Sequence, residues 1–389
     1  MNDRVVRSLA SMADITVGHV GQMTAEYRED GVAFLRSQNV APFRLDLADV
    51  KYVSYDFHRR LGKSVLVPGD VVVVRTGSPG TAAVVPESLS VANCSDLVIV
   101  RPGPELDARY LCYFMNSAAR AFVQSRLVGA VQQHFNVRDA RELRIPLPSL
   151  QYQKRVAGLL VALDDKIDAS GRLARLSDEL WLAFAEHAMD QAAQTAVSTQ
   201  LTNLAAFVNG RAFTKAATGT GRMVIRIAEL NSGPGRSTVY NDIDVPEQHL
   251  ARPGDLLFAW SGSLTVQRWF RDEAIVNQHI FKVVPEDGVP VWLVHAHLLH
   301  LLDGFRGIAA DKATTMGHIQ RRHLEVSVPR LDASALAEAD AKCDPLWRRA
   351  LAAEREMLAL SALRDALLPP LMSGELHVRG AEDLIGENT

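Results

Sequence analysis

Apolar residues recur every three or four positions between residues 153 and 193, and no proline interrupts them. This is the period of an amphipathic helix, so the segment predicts one long helix, with an irregularity expected near Gly171. A helix with an apolar stripe has to bury that stripe against another element. The stripe consists of Val156, Leu160, Leu163 and Ile167, followed by Leu173, Leu176, Leu180 and Phe184.

A second long helix is predicted after residue 331, because apolar residues there repeat every seven positions over about five heptads. We expect Pro369-Pro370 to end this helix and the polar tail after Val378 to be loosely ordered. One seam position holds Leu336, Cys343, Ala350 and Met357, and the other holds Ala339, Leu346, Ala353, Leu360 and Leu367.

Small residues in this seam allow a close approach, so we expect the two helices to form an antiparallel coiled coil that holds the flanking modules apart. The alternative is that each helix packs only on its own module.

Two short apolar runs, Val71–Val74 and Leu256–Ala259, predict buried strands. Each run follows Pro-Gly-Asp and precedes Gly-Ser, and the flanking sequences match in the same order at separations of 181 to 190 residues. Solenoid repeats are roughly 20 to 50 residues long, so this period indicates two copies of one domain. The matching flanks are residues 34–40 with 224–230, 134–136 with 318–320, and 147–150 with 328–331.

The predicted fold class is α/β, with two duplicated mixed α/β modules separated by two long antiparallel helices. The modules cover residues 1–148 and 198–331, and the helical segments cover 149–197 and 332–389 with the tail. A tandem pair of similar modules is suited to a target that also has two halves.

The charge of the chain is unevenly distributed, although the formal net charge is only -3. Basic and acidic residues number 17 and 15 in residues 1–148, 14 and 12 in residues 198–331, and 11 and 18 elsewhere. The acidity therefore lies outside the modules. The small basic surplus of each module does not by itself establish nucleic-acid binding.

Three widely spaced cysteines, Cys94, Cys112 and Cys343, form neither a disulfide framework nor a metal knuckle. We expect them to be small buried residues in a reducing compartment. The first 15 residues lack a continuous apolar region, and no stretch approaches the roughly 18 apolar residues of a membrane span. A soluble, cytoplasmic protein without membrane contact is therefore expected.

The loop after each predicted central strand is a natural recognition edge, although a Gly-Ser turn that only ends a strand is the alternative. Its polar side chains could contact phosphates or base edges, and we expect Arg75 to contact a phosphate. The candidates are Arg75, Thr76 and Ser78 with Gln133 and His134 in the first copy, and Trp260, Ser261 and Ser263 with His318 and Gln320 in the second.

Upstream of these loops, Arg36, Gln38 and Asn39 could form the bidentate pairings that distinguish guanine and adenine. Their counterparts in the second copy include Arg226 and Glu229. The copies keep their apolar positions and change their polar ones. That pattern is expected if one scaffold reads two different half-sites, and ordinary drift at exposed positions would look similar.

Catalytic motifs are hard to find in this chain. It has no amino-methyltransferase motif, no glycine-rich turn for adenosylmethionine and no P-loop. His295, His297 and His300 suggest a metal site or a hydrolase, but offsets of two and five do not place three ligands on one helical face. An exposed or capping histidine cluster is expected instead. Asp164 and Asp165 are expected to be a solvated pair on the outer helix face.

The sequence resembles the specificity subunit of type I restriction-modification enzymes over nearly its whole length. The start of the second helix departs from that pattern. Its sequence, SALAEADAKCDPLW, lacks the proline and glutamine that mark the start of the first helix at Pro148 and Gln153. The passages that carry the resemblance are FLRSQNV, PGDVVVVRTGSPG, RIPLPSLQYQKRVAGLLVALDDKID and LRDALLPPLMSGELHV.

The resemblance implies a non-catalytic reader of double-stranded DNA with two target-recognition domains. It would dock two methyltransferase subunits and, through them, restriction and translocase subunits. Adenosylmethionine, ATP and Mg²⁺ would then be bound only by those partners. The alternative is a solitary adaptor of this type in another phage-defence system. The residues expected to hold the helices and the partner surface are Leu160, Leu163, Ile167, Leu346, Met357 and Leu360.

Overall fold

The computed structural model of the chain describes residues 5–127, 134–194, 197–215, 217–310 and 317–388. The chain divides into two compact units. The first unit combines Met1–Asp165 with Ser361–Thr389, and the second unit is Lys166–Leu360. The two units are described separately below.

The helices and strands follow one another along the chain in this order. Up to the first long helix they are β1 (Val5–Ser8), β2 (Ala13–Val17), β3 (Tyr27–Arg28), β4 (Val32–Leu35), β5 (Val40–Ala41), β6 (Arg44–Leu45), β7 (Lys51–Val53), α1 (Tyr55–Arg60), β8 (Val65–Leu66), β9 (Val71–Val74), β10 (Ala82–Val84), β11 (Ala92–Cys94), β12 (Leu97–Pro102), α2 (Ala108–Asn116), α3 (Arg120–Leu127), α4 (Val137–Glu142), β13 (Arg144–Leu147) and α5 (Leu150–Gln194). They continue with β14 (Ser198–Gln200), β15 (Ala205–Asn209), β16 (Arg222–Ile225), α6 (Ile227–Ser232), β17 (Tyr240–Asn241), β18 (Leu250–Ala251), β19 (Leu256–Ala259), β20 (Thr265–Arg268), β21 (Ala274–Val276), β22 (Ile280–Pro285), α7 (Val291–Ala310), β23 (Ser327–Pro329), α8 (Ala333–Ser373) and α9 (Val378–Asn388).

The core of the first unit is built around β9, whose four valines are all buried. Four strands pair in the order β10-β9-β12-β2, all antiparallel, and α2 packs on β10. A second sheet has the order β3-β7-β4-β11-β8 and contains the parallel pair β4 and β11. One apolar cluster joins the two sheets, with Leu35 from β4 and Val72 and Val74 from β9. A short ladder of β1 and β13 leads into α5.

The second unit repeats the order of paired strands in its main sheets, although β3 and the β5–β6 ladder of the first unit have no counterpart among its described strands. Its antiparallel sheet has the order β20-β19-β22-β15, which corresponds to β10-β9-β12-β2. Its other sheet, β17-β16-β21-β18, contains the parallel pair β16 and β21 where the first unit has β4 and β11. The ladder of β14 and β23 corresponds to that of β1 and β13. The two predicted central strands and the duplication of one domain are therefore confirmed.

The Pro-Gly-Asp sequence recurs because its aspartate closes the turn before each central strand. In the first copy, Asp70 accepts a hydrogen bond from the backbone N–H of Val67 at 3.1 Å and lies 3.7 Å from Nε of Arg101. In the second copy, Asp255 accepts from the backbone three residues earlier at 2.7 Å and pairs with Lys282 at 2.8 Å. The central glycines have φ of 90° and 99°, which an L side chain rarely adopts.

Helix α5 is continuous through Gly171, so the expected irregularity is wrong. The first half of its stripe is buried as predicted at Val156, Leu160 and Leu163, and Ile167 is partly buried.

The second half of the predicted stripe is wrong, because Leu176, Leu180 and Phe184 are 51%, 51% and 41% exposed. Spacing alone favoured these large residues, but close packing selects a neighbouring face that contains several small side chains. The positions buried there are Ala174, Ser177, Trp181, Ala185, Met189 and Ala192.

Helix α8 begins after Asp332, whose carboxylate accepts from the backbone N–H groups of Ser334 and Ala335 at 2.9 and 2.8 Å. This capping defines a start that the sequence left uncertain. The predicted stop at Pro369-Pro370 is wrong. The helix runs to Ser373 and is followed by Gly374, whose φ is 80° and whose N–H bonds the Pro370 carbonyl at 3.0 Å.

Apolar burial explains why the two prolines do not end α8. A proline inside a helix costs about 3 kcal/mol, whereas burying one large apolar side chain contributes about 1.5 to 3 kcal/mol. Four such side chains around the prolines are buried, namely Leu367, Leu368, Leu371 and Met372.

The chain after Val378 is also ordered, contrary to expectation. It forms α9, in which Val378 and Ala381 are buried. The hydroxyl of Tyr152 donates to the carbonyl of Leu376 at 3.3 Å, which ties this segment to the start of α5.

Within the second unit, α5 and α8 run antiparallel, as predicted. Lys166 pairs with Glu356 at 3.1 Å, and further along α5 the carbonyl of Trp181 accepts from Cys343 at 3.5 Å. The seam positions Ala339, Cys343, Ala350, Ala353 and Leu360 are buried, and Leu336, Leu346 and Met357 are partly buried.

Within the first unit, Asp164 of α5 accepts from Arg364 of α8 at 2.7 Å and from the hydroxyl of Tyr113 of α2 at 2.5 Å. Asp164 is therefore not the solvated residue that we expected, whereas Asp165 is exposed. The helical period placed Asp164 outside the stripe, but α2 covers that face as well.

All three cysteines are buried free thiols, as predicted. Across the described residues, no helix combines the length and apolar character needed to cross a membrane.

A buried cation, Arg268 of β20, connects the second domain to both helices within the second unit. Its guanidinium donates to Asp178 of α5 at 3.1 Å and to Glu354 of α8 at 2.9 Å, and it lies over the Trp347 ring at 4.9 Å. Burial raises the pKa of Glu354 to about 7, although the charge of Arg268 opposes this.

We expect Glu354 to make stability fall between pH 5 and 8. The pKa of Glu354 in the folded state lies above its unfolded value of 4.5. The contribution of protonated Glu354 to the free energy of unfolding is therefore complete at low pH and is lost as pH rises through about 7. Glu354→Gln should reduce the difference in unfolding free energy between pH 5 and 8 by up to about 3 kcal/mol. Tryptophan fluorescence during denaturant unfolding measures this, because all five tryptophans lie between residues 181 and 347.

Glu356→Gln is the control. The pKa of Glu356 is lowered by hydrogen bonds from Ser170 and Lys166, so its charge does not change in this range. A wild-type pH dependence in Glu354→Gln would contradict the assignment.

Candidate nucleic-acid interface

A capping arrangement follows the first strand of each parallel pair. After β4, the side-chain oxygen of Asn39 accepts from the backbone N–H of Arg36 at 3.0 Å. After β16, the carboxylate of Glu229 accepts from the backbone N–H of Arg226 at 3.1 Å, and from its guanidinium at 2.6 and 2.9 Å. The same geometry therefore occurs in both copies with different side chains.

These contacts change the interpretation of Asn39 and Glu229. Both are only 2% exposed. The amide of Asn39 also donates to the Asp46 carbonyl at 3.0 Å, and Glu229 accepts from Thr238. Burial would raise the pKa of Glu229, but hydrogen bonds from Arg226 and Thr238 lower it below its usual value. The observed contacts of both residues are those of a local cap, and base reading by them stays a prediction.

The neighbouring candidates, Arg36, Gln38 and Arg226, are hydrogen-bonded to carboxylates or to backbone carbonyls. Gln38 and Arg36 both donate to the carboxylate of Asp49, at 3.0 and 3.2 Å. Arg226 donates to the Ser237 carbonyl at 2.6 Å in addition to its pairing with Glu229. Gln38 is the exposed member of this group.

The first recognition edge, defined as Arg75, Thr76, Asp96 and His134, is a connected polar network. Arg75 donates to one oxygen of Asp96 at 2.5 Å, and the Thr76 hydroxyl donates to the other at 3.1 Å. Because that hydroxyl has one proton, it accepts from Nδ1 of His134, which lies 2.7 Å away. The backbone N–H of Phe135 bonds the Arg75 carbonyl at 3.1 Å and brings the two segments together.

The second recognition edge, defined as Trp260, His279, His318 and Asn209, is aromatic. The Trp260 ring centroid lies 5.0 Å from that of His279 and 6.3 Å from that of His318. Its indole N–H donates to Asn209 at 2.8 Å, which fixes the ring plane. The backbone N–H of Ile319 bonds the Trp260 carbonyl at 3.1 Å, as Phe135 does for Arg75.

The other predicted loop residues lie around these edges with different exposure. Ser78 and Ser263 are exposed, and Ser263 accepts from Asn231 at 3.3 Å. Ser261 is buried. Gln320 is exposed and caps a short 3-10 helix, Arg321–Leu324. Gln133 lies outside the described residues.

Sequence reasoning missed Asp96 and His279. Both have positive φ, 51° and 74°, and each holds the loop residue of its own edge. Backbone outliers of this kind concentrate at functional sites. It also missed Arg321 and Arg322, which are exposed and form no ion pair with any described residue. The basic pair directly after Gln320 was the available signal for them.

The histidine cluster of α7 is not the exposed group that we expected. His295 and His297 are buried, and burial lowers their pKa to about 3 and about 4. Nδ1 of His295 accepts from the indole of Trp347 at 3.3 Å, and its ring lies 5.2 Å from that of Trp181 at a tilt of 36°. Only His300 is exposed among the three. Within the described ranges, no group of three or more metal-ligating side chains could hold an ion.

A duplicated α/β domain combined with two long antiparallel helices is the fold of the specificity (S) subunit of type I restriction-modification systems. The S subunit of such a system from M. genitalium is similar over 94% of this chain and 95% of its own, with a TM-score of 0.61 and 15% identity. At this identity the similarity concerns the fold.

Two other solved structures share long alignments with this chain. The HsdS subunit from Thermoanaerobacter tengcongensis is 16% identical, with 96% and 97% coverage and a TM-score of 0.36. A chain from a structure of complex assembly and conformational transition in the type I R-M system is 15% identical, with 96% and 98% coverage and a TM-score of 0.41. No protein-family model and no curated protein matches the chain.

We expect Asn39→Ala to weaken the first domain, because it removes the side chain that closes the cap after β4. Loss of a capping side chain costs about 1 kcal/mol. Hydrogen exchange of residues 36–41 should accelerate accordingly. Gln38→Ala is the control, because its exposed side chain should leave exchange unchanged. Wild-type exchange of residues 36–41 in Asn39→Ala would contradict the capping role of Asn39.

Proposed function

We propose that the chain is the sequence-specific DNA-binding specificity subunit of a type I restriction-modification complex, acting in the cytoplasm. It reads an asymmetric target in two halves and recruits methyltransferase and restriction subunits. The observation that carries this proposal is the pair of recognition edges, which have the same backbone arrangement and different chemistry. A duplicated scaffold that differs mainly at its exposed edge is suited to two different half-sites.

The two edges differ in the contacts they can make with DNA. The first edge offers a guanidinium, a hydroxyl and an imidazole, which can form hydrogen bonds to base edges. The second edge offers an indole, which suits apolar contact with a thymine methyl group or stacking on an unstacked base. Each half-site would therefore have its own sequence, and the whole target would be asymmetric.

The chemistry of the complex belongs to the partners in this proposal. Adenosylmethionine, ATP and Mg²⁺ are bound by the methyltransferase and restriction subunits, and this chain supplies recognition and assembly. The buried, weakly basic His295 and His297 are poor candidates for a hydrolytic site, because burial disfavours their charged form.

The exposed stripe of α5, defined as Leu176, Leu180 and Phe184, is the surface that we assign to a methyltransferase subunit. These residues are four positions apart and form one line on the helix. Groups of large exposed apolar residues mark protein interaction sites, and a helical stripe pairs readily with a partner helix. With two methyltransferase subunits in the complex, the second would dock on another surface.

Domain exchange tests the proposed function. Residues 1–148 are replaced by the equivalent domain of a relative with a different target, and the chimera is expressed with its methyltransferase subunit. One half of the methylated sequence should change and the other half should persist. Methylome sequencing of the cells measures this, and the chain without its methyltransferase should give no methylation.

An unchanged target, or one altered in both halves, would contradict the division of labour between the two domains. Methylation or metal-dependent cleavage by the purified chain alone would contradict the adaptor role.

The double substitution Leu176→Ser and Leu180→Ser tests the docking stripe. Since both side chains are half exposed, the unfolding free energy should change little. Loss of their burial by the partner should weaken association with the methyltransferase subunit by about tenfold or more. Leu360→Ser is the matched control, because this buried seam residue should cost stability first. Wild-type co-purification of the double variant would exclude the stripe as the docking surface.

A further inference from the structure

The Arg75–Asp96 pair of the first recognition edge has no net charge. Arg75 donates to Asp96 at 2.5 Å, and the exposed fractions of the two side chains are 18% and 43%. The second oxygen of Asp96 is held by the Thr76 hydroxyl at 3.1 Å. The guanidinium is therefore fixed in one orientation beside a partly exposed carboxylate.

This arrangement is unfavourable for the phosphate contact that the sequence led us to expect. A phosphate contact gains its free energy from net positive charge and counterion release, which a neutral pair hardly supplies. The Asp96 carboxylate would also repel a phosphate placed against Arg75. What the pair offers instead is a pre-oriented guanidinium, and the geometry of that group matches the O6 and N7 acceptors of guanine.

The second copy supports the same conclusion independently. The position of Arg75 is occupied by Trp260, and a residue with positive φ holds it, His279 where the first copy has Asp96. Both loop carbonyls accept the same backbone hydrogen bond, from Phe135 and from Ile319. Phosphates are identical in every half-site, so a position that contacts a phosphate would have no reason to change from a cation to an indole. A position that reads a base would change when the two half-sites have different bases.

We propose that Arg75 determines specificity for one guanine in the half-site of the first domain, and that Asp96 is the positioning residue that orients it. The proposal rests on the proposed function and adds the identity of one base and the residue that reads it. Phosphate contacts are left to exposed basic residues that have no acidic partner among the described residues, such as Arg321 and Arg322 in the second copy.

The experiment uses the complete complex with its methyltransferase subunit. Binding is measured on the target and on duplexes that carry each single base-pair change in the first half-site, at two salt concentrations. Arg75→Ala and Asp96→Asn should lose discrimination at the same G·C pair by roughly 5- to 150-fold, the range of a bidentate base contact. The loss should be confined to that base pair, and binding to the second half-site should stay as in wild type.

Two matched comparisons separate this effect from a structural one. Asp56→Asn removes an exposed ion pair with Arg59 in the same domain and should leave recognition unchanged. Replacing the guanine by 7-deazaguanine, which lacks the N7 acceptor, should weaken binding by the wild-type complex and not by Arg75→Ala. This DNA probe needs no folded variant and so keeps the test valid if a substitution destabilises the domain.

Three outcomes would overturn the inference while leaving the proposed function in place. The first half-site could contain no guanine, or show no sensitivity to 7-deazaguanine at any guanine. Alternatively, Arg75→Ala could weaken all duplexes alike and reduce the salt slope by about one, as a phosphate contact does. In contrast, a wild-type complex that binds no specific sequence would refute the proposed function itself.

Discussion

One repeated backbone hydrogen bond fixes the loop after each central strand. In the first copy the N–H of Phe135 bonds the carbonyl of Arg75, and in the second the N–H of Ile319 bonds the carbonyl of Trp260, both at 3.1 Å. The donors belong to buried residues, so each bond is shielded from water and its loss would leave a buried polar group unsatisfied. Because the bond uses only main-chain atoms, the side chain of the loop can change without moving the loop.

Because main-chain contacts support the loop and side chains form its outer edge, one fold can present two different sets of side chains. The turn before each central strand is held by an aspartate and a cation on the neighbouring strand, Asp70 with Arg101 and Asp255 with Lys282. These contacts lie on the protein side of the loop and recur in both copies. The polar network around Arg75 and the aromatic cluster around Trp260 lie at the loop itself and do not recur. The scaffold is therefore constrained where the loop is supported and variable where it faces outward.

The sequence predicted the features that depend on periodicity and local turns. Both central strands, the duplication and the two long helices follow from spacing, because a buried strand or a helix imposes its period on the apolar residues.

What the sequence missed depends on contacts between distant segments. Spacing alone could not show that α2 covers Asp164, or that Arg268 from β20 reaches both long helices. It also treated Asn39 and Glu229 as exposed polar residues, although each closes a local cap. The Leu176 side of α5 was predicted to be buried because its apolar residues follow the helical period, whereas the structure buries the neighbouring face with Ala174 and Ala185, which allow closer packing. Of the two edges, the sequence named the loop residues and missed the residues that hold them.

Buried charges complement a helix seam that is weakly specific by itself. In α8, Ala339 and Ala353 alternate with Leu346 and Leu360, so a shift of the two helices by two heptads would place residues of the same size in the seam. A buried ion pair often contributes little net stability, because removing two charges from water is costly, but breaking one costs several kcal/mol. In the first unit Arg364 meets Asp164, and in the second Arg268 meets Asp178 and Glu354. A shifted register would leave the buried Arg268 and the partly buried charges of these pairs without partners, so we infer that the ion pairs specify the register while the apolar seam supplies most of the association.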